Sequence, residues 1–341
     1  MTSNRPIRRN PSPNQLSPEK PYKLIPFPTQ PPTLKHPVGH DRYRSNCLHG
    51  SIELTLNVRT ALHVSTGIVA MGSDVSSRVP LVKTMAKGTS QQLTIPGSSL
   101  KGVVRSIYEA ITNSTLPVVT NSYKKNMPPE RLLRNKKELC PASLVFGALD
   151  WQGLIHFTDA KCERTESVVG FMPSLYRPRP DQRRDYFQHG KAAGRKFYYH
   201  AVKAVDGGDR GIPVQQAGTE YCFTTHLQFM NLSQAELGTL LIALGQDSQY
   251  PFALKVGGGK PVGMGTMTVE VTAIEQAQNL RDRYTRYTPP DSNQLTGEKL
   301  QQFMQQAIQA AHKNLILEPQ LQQLAEVLKF PTDRTAPEGM Y

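Results

Sequence analysis

Apolar and polar residues alternate with a period of two across residues 51–63 (Ser-Ile-Glu-Leu-Thr-Leu-Asn-Val-Arg-Thr-Ala-Leu-His), which predicts a strand with one buried face. Residues 95–111 change period. After Ile95-Pro-Gly, the apolar positions Leu100, Val103, Val104, Ile107, Tyr108 and Ile111 recur at helical spacing, with Ser98 or Ser99 as the natural N-cap. Short strands follow at 154–158 and 220–229. Ser233-Gln-Ala-Glu236 is a capping box that opens a helix over 237–244, and 265–274 is a closing strand. The order β-α-β-β-α-β is that of a split βαβ, so the expected fold class is α+β, a ferredoxin-like palm. Long insertions interrupt it before the first helix, after that helix, and between the second and third strands.

The flanks read differently. Residues 1–45 hold ten prolines, from Pro6 to Pro37, and are expected to form an extended, basic tail. Residues 46–275 form the expected palm with its insertions. Residues 276–341 are an extension, largely helical from 297 to 330 and broken near Pro319, whose Leu300, Phe303, Met304 and Ile308 are placed to dock on this chain or on a neighbour.

Charge adds a partner class. Lys and Arg number 40 against 27 Asp and Glu, for a net charge of +13 and a pI near 9.6. That excess draws polyanions, nucleic acid first and an acidic membrane surface second. No apolar run approaches the ~18 residues of a membrane span, and the N-terminus has no apolar stretch like a signal peptide, so no membrane is expected and the cytoplasm is the expected compartment. Cys47, Cys140, Cys162 and Cys222 are far apart with no CxxC pair. They read as thiols, and no ligand spacing supports zinc at Cys140 and Cys162; no resident metal is expected there.

Two segments carry candidate chemistry. Val256-Gly-Gly-Gly-Lys-Pro-Val-Gly-Met-Gly265 supplies Gly257, Gly258, Gly259, Gly263 and Gly265 for positive φ and close backbone approach, with Lys260 as a charge. It is no Walker loop, since neither GKS nor GKT occurs and a strand follows. The helix start places Ser98 and Ser99 at a helix N-terminus, with Lys101 and Arg105 four apart beside it, an arrangement suited to an anion.

Leu62-His63, the Ile95-Pro-Gly-Ser-Ser-Leu-Lys-Gly102 helix start, Cys140-Pro-Ala-Ser-Leu-Val-Phe-Gly147, Asp159-Ala160, Ala217-Gly-Thr-Glu220 and the glycine-rich loop, in this order, resemble the RAMP superfamily. Within it the chain is most similar to the backbone (seven-type) subunits of type III CRISPR effectors. The resemblance implies an RNA-recognition-motif-like palm that stacks along a guide CRISPR RNA beside target RNA and other subunits. The matching guide-RNA positions are His63, Ser98, Ser99, Lys101, Arg105, Gly257, Gly258, Gly259 and Lys260. A protruding thumb hairpin is expected from the insertion at about 160–216. There Arg177, Arg179, Arg183, Arg184, Lys191, Arg195 and Lys196 interleave with Tyr176, Tyr186, Phe187, Phe197, Tyr198 and Tyr199, a mix that suits exposed bases and phosphates.

Cleavage is a separate matter. Active members carry a loop Asp just before a Pro-Val-Val-like run. Here the run is Val79-Pro-Leu-Val82 and the residue before it is Arg78, which can neither ligate a metal nor act as a base near neutral pH. Asp74 is the nearest carboxylate and the candidate catalytic residue, with Mg2+ or another divalent cation as cofactor if the chain cuts. The alternatives are the same subunit without cleavage, a CRISPR-RNA processing endonuclease relying on His200 or Tyr199, and a basic scaffold that binds through its tail.

Overall fold

A computed structural model describes residues 20–116, 119, 121–132, 137–164, 166–175, 186–277, 285, 287 and 293–337. Its palm is built from β1 (Leu48–Val58), α1 (Gly97–Ile111), β2 (Ile155–Phe157), β3 (Cys222–Leu232), α2 (Gln234–Ala243) and β4 (Thr266–Gln276). The strands lie in the antiparallel order β4-β1-β3-β2, with Leu56 opposite both Phe223 and Val269, and Leu227 opposite Phe157. This is the sheet order of a ferredoxin-like split βαβ, as the periodicity predicts. Leu254–Lys255 extends the sheet beside β4, and Ala160–Cys162 and Thr94–Ile95 extend the other edge.

Alternation decides which face is covered. Ile52, Leu54, Leu56 and Val58 of β1 are essentially inaccessible and meet Leu100, Val104, Ile107 and Tyr108 of α1 with Leu237, Leu240 and Leu241 of α2 in one core. α2 is buried from Leu237 to Ala243 because a second layer covers it. That layer is α3 (Gly297–Asn314), followed by α4 (Glu318–Val327), which starts at the Pro319 break. Leu300, Met304, Ala307 and Ala311 pack inward from α3, so the C-terminal helices dock on their own palm. The crossing is close: a Cβ on Gly238 would lie 1.8 Å from the Ala307 carbonyl.

Two local expectations are corrected. α1 begins one residue before the serines: Pro96 is its N-cap, and Gly97 N–H donates to Asp159 Oδ1 at 2.8 Å. The cause is tertiary, since a Cβ on Gly97 would sit 2.1 Å from the Phe157 carbonyl, and only glycine lets the helix start this near β2. The capping box of α2, by contrast, forms as read, Ser233 Oγ accepting from Glu236 N–H and Glu236 Oε2 from Ser233 N–H. In the proline-rich N-terminal region, Tyr22–Pro26 is a strand, antiparallel to Gly194–Tyr198, with Ile25 buried in the core. Its prolines do not prevent this because a two-stranded edge needs few of its N–H groups. The next turn is held by the buried Arg131, which donates to the carbonyls of Pro28 and Gln30 and to Asn113 Oδ1.

The insertions join in a second sheet. Val168–Met172, Ile212–Gln216, Leu81–Met85 and Ser65–Met71 lie side by side in that order. The outermost pair forms a hairpin that exposes Ile68, Val69, Met71 and Leu81. No helix among the described residues is long and apolar enough to cross a membrane.

Candidate nucleic-acid interface

The residues singled out in α1 separate onto two faces. At 3.6 residues per turn, Ser99, Gly102, Val103 and Ser106 share one stripe and Ser98, Lys101 and Arg105 the next. The first stripe forms one wall of a groove of about 370 Å³. Gly257 and Lys260 from the glycine-rich loop, Lys255 from the strand before it, and Lys196 and Tyr198 from the Gly194–Tyr198 strand complete it. Three lysines from two distant parts of the chain thus face a helix wall of serine and glycine, and among the described residues no carboxylate lines the groove.

The loop holds its shape through glycine. Gly257, Gly259, Gly263 and Gly265 all have positive φ, between 65° and 86°. Gly258 N–H donates to the His63 carbonyl at 2.8 Å and Gly265 N–H to that of Ala61 at 2.9 Å, so the loop lies flat on the chain just after β1. The Gly257 and Gly259 N–H groups take no backbone partner among the described residues. His63 supports this loop from beneath: the residue is 2% exposed, and its Nδ1 is 2.7 Å from the Gln215 carbonyl. Burial pushes its pKa down, which keeps the ring neutral.

The other flank of α1 is committed to the fold. Lys101 donates to the Ile155 carbonyl at 3.0 Å, and burial followed by the nearby Arg105 lowers its pKa. Arg105 Nε pairs with Glu109 at 2.7 Å, and Arg195 reaches the other oxygen of the same buried carboxylate at 2.6 Å. Ser98 is exposed outside the groove. Lys196 does face the groove, its ammonium 3.9 Å from the Tyr22 ring, 4.7 Å from Tyr198 and 5.3 Å from Tyr186. Those tyrosines wrap a cation of their own chain, Phe197 packs on the core, and Arg334 covers Tyr199 at 4.3 Å. Arg177, Arg179, Arg183, Arg184 and Tyr176 lie outside the described residues.

Lysine 255 is the residue that motif reading misses. It is 6% exposed, and Thr266 Oγ1, 3.4 Å away, is also 2.9 Å from His200 Nδ1. Burial, then the charge of Lys260, bring Lys255 down to about 7. The available signal was a lysine inside the otherwise apolar run from Phe252 to Val256. His200 is buried behind the groove with Nε2 on the Ala253 carbonyl at 3.0 Å, and burial takes it down to about 3. A buried imidazole whose pKa is pushed down and whose two nitrogens are both engaged is unsuited to acid–base work on RNA.

Asp74 lies elsewhere, on the Gly72–Val75 turn at the hairpin tip, exposed, with Ser73 Oγ 3.3 Å from its Oδ1. Arg78 is exposed in the same loop. Among the described residues no three His, Cys, Asp or Glu side chains are grouped to hold a metal ion. One carboxylate and a serine do not fit a metal site made by this chain alone.

No curated protein matches the sequence. The family model of the RAMP superfamily matches residues 55–268, from within β1 to the start of β4. That stretch covers well over half of the chain and contains both walls of the groove, and on it the chain belongs to the RAMP superfamily, a family associated with CRISPR RNA-guided effector complexes.

Proposed function

We propose that this chain is a backbone subunit of a type III CRISPR effector that holds guide RNA in the groove between α1 and the glycine-rich loop. It works in the cytoplasm with guide RNA, target RNA and neighbouring subunits. The observation that carries this reading is the convergence of Lys196, Lys255 and Lys260 opposite the Ser99–Ser106 stripe, with no carboxylate among the described residues of the lining. Cations brought together from separate segments of the chain suit a polyanion, and the Gly257 N–H, which takes no backbone partner among the described residues and lines the groove, suits a phosphate. The second sheet, which joins the Ser65–Met71 hairpin to the 160–216 insertion, is the candidate for the thumb that separates guide from target.

Salt dependence tests the groove. Each lysine that neutralises a phosphate of single-stranded RNA adds about 0.7 to the slope of log affinity against log salt. Lys260→Ala is expected to lower affinity and reduce that slope by about 0.7, measured by fluorescence anisotropy between about 0.05 and 0.2 M salt. An unchanged slope in Lys260→Ala and Lys196→Ala would remove the groove from consideration. Loss of binding on deleting residues 1–19 would assign it to the tail instead.

Between cutting and non-cutting versions of this reading, Arg78 favours the second, since it stands where the family carboxylate falls. Asp74→Ala is expected to leave RNA affinity within about twofold, the carboxylate being exposed and outside the groove. The target-RNA product pattern of the assembled complex is the readout. Loss of one product in Asp74→Ala would establish that this subunit cuts and that Asp74 supports it.

A further inference from the structure

The groups around Lys255 can be followed element by element. On its own side, Thr266 Oγ1 lies 3.4 Å from its Nζ. His200 Nε2–H donates to the Ala253 carbonyl, so His200 Nδ1 accepts from the Thr266 hydroxyl, whose lone pairs are left for Lys255. From the glycine-rich loop comes Lys260, from the Gly194–Tyr198 strand come Lys196 and Tyr198, and from α1 the hydroxyls of Ser99 and Ser106. Arg334 of the C-terminal segment acts on His200 from further out. Every one of these groups is neutral or cationic. Neither Lys255 nor Lys260 is ion-paired among the described residues. An ammonium buried this deeply, on the floor of an open groove and with other lysines around it, lacks only an anion.

We propose that Lys255 forms the floor of a phosphate-binding site in this groove and that an RNA phosphate enters it together with a proton. The proposal rests on the groove being the RNA site. Burial and then Lys260 hold Lys255 at about 7, so near neutrality the amine is about half protonated. A phosphate beside it supplies the opposite charge that is missing and raises the pKa. The sign follows from linkage. Above pH 7 the RNA-bound chain carries more protons at Lys255 than the RNA-free chain, so binding takes up a proton and affinity falls as pH rises. Well below pH 7 the amine is charged in both states, and this dependence disappears.

Calorimetric titration of the full chain with a single-stranded RNA oligonucleotide, at about pH 8 in buffers of differing ionisation enthalpy, counts the protons. Uptake close to one proton per chain is expected, with affinity falling about tenfold per pH unit above about pH 8. Lys255→Arg, charged at every pH used, is expected to bind without this uptake and with a flat pH profile. Lys255→Met, similar in volume and uncharged, is expected to bind more weakly at low pH and likewise without uptake. RNA binding with no uptake in the unsubstituted chain, or with equal uptake in Lys255→Arg, overturns the proposal and leaves the groove reading standing. No RNA binding under any of these conditions removes both.

Discussion

Glu109→Gln is expected to lower the free energy of unfolding by about 3–5 kcal/mol, measured by urea denaturation. Glu109 sits on α1 with its side chain 6% exposed and accepts from two guanidinium groups, Arg105 at 2.7 Å and Arg195 at 2.6 Å. Those side chains are themselves only 20% and 12% exposed. Burial pulls the Arg195 pKa down and Glu109 pulls it back up, so the carboxylate is what makes a buried cation tolerable at this position. Glutamine keeps the volume but removes the charge and turns one acceptor into a donor that faces a guanidinium. The triple variant Arg105→Met, Glu109→Leu, Arg195→Met removes all three charges and is expected to lie within about 1–2 kcal/mol of the original chain. A cost below about 1 kcal/mol for Glu109→Gln would mean that the pair behaves as a surface ion pair, contrary to its burial. The effect reaches the groove, because the strand that carries Arg195 also carries Lys196.

This ion triad also shows where sequence reading stops. Alternation marks the strands at 51–63, 220–229 and 265–274 because each has one face on the core, and the Ser233–Glu236 box marks α2 because both halves of the cap lie within one turn. Signals of that kind are local. Glu109 and Arg195 are 86 positions apart, and nothing in either neighbourhood shows that they meet, so Arg195 reads as a nucleic-acid contact when its charge is spent inside the fold. The strand at Tyr22–Pro26 is hidden for the same reason, its partner being Gly194–Tyr198 and its own prolines arguing for a tail. The division of α1 is different. That Ser99, Gly102 and Ser106 share a face which Ser98, Lys101 and Arg105 do not is a matter of helical spacing, readable once the helix is assigned. Lys255 escaped because the glycine-rich motif as read begins at Val256, the next residue.

Two glycines in the groove lining are expected to respond to alanine with opposite signs. Gly102 is an exposed helix position where a Cβ would meet nothing within 4 Å, so Gly102→Ala is expected to stabilise the chain by about 0.5–1 kcal/mol through helix propensity. Gly257 has φ +75°, and a Cβ there would lie 2.4 Å from the His63 carbonyl and 3.3 Å from Leu62. Left-handed backbone costs an alanine about 1–2 kcal/mol before any clash. The clash then forces the loop off residues 62–63 and breaks the Gly258 N–H bond to the His63 carbonyl. Gly257→Ala is therefore expected to cost about 2–4 kcal/mol in stability. It also moves Lys260 relative to Lys255, since the displaced residue lies between them in the chain. RNA affinity is expected to fall at least tenfold, about 1.4 kcal/mol, while in Gly102→Ala it stays within about threefold. Thermal unfolding and anisotropy titration on the same two samples read both quantities. A destabilised Gly257→Ala that binds RNA as tightly as the unsubstituted chain would show that the loop serves the fold alone and that the phosphates lie elsewhere on this surface.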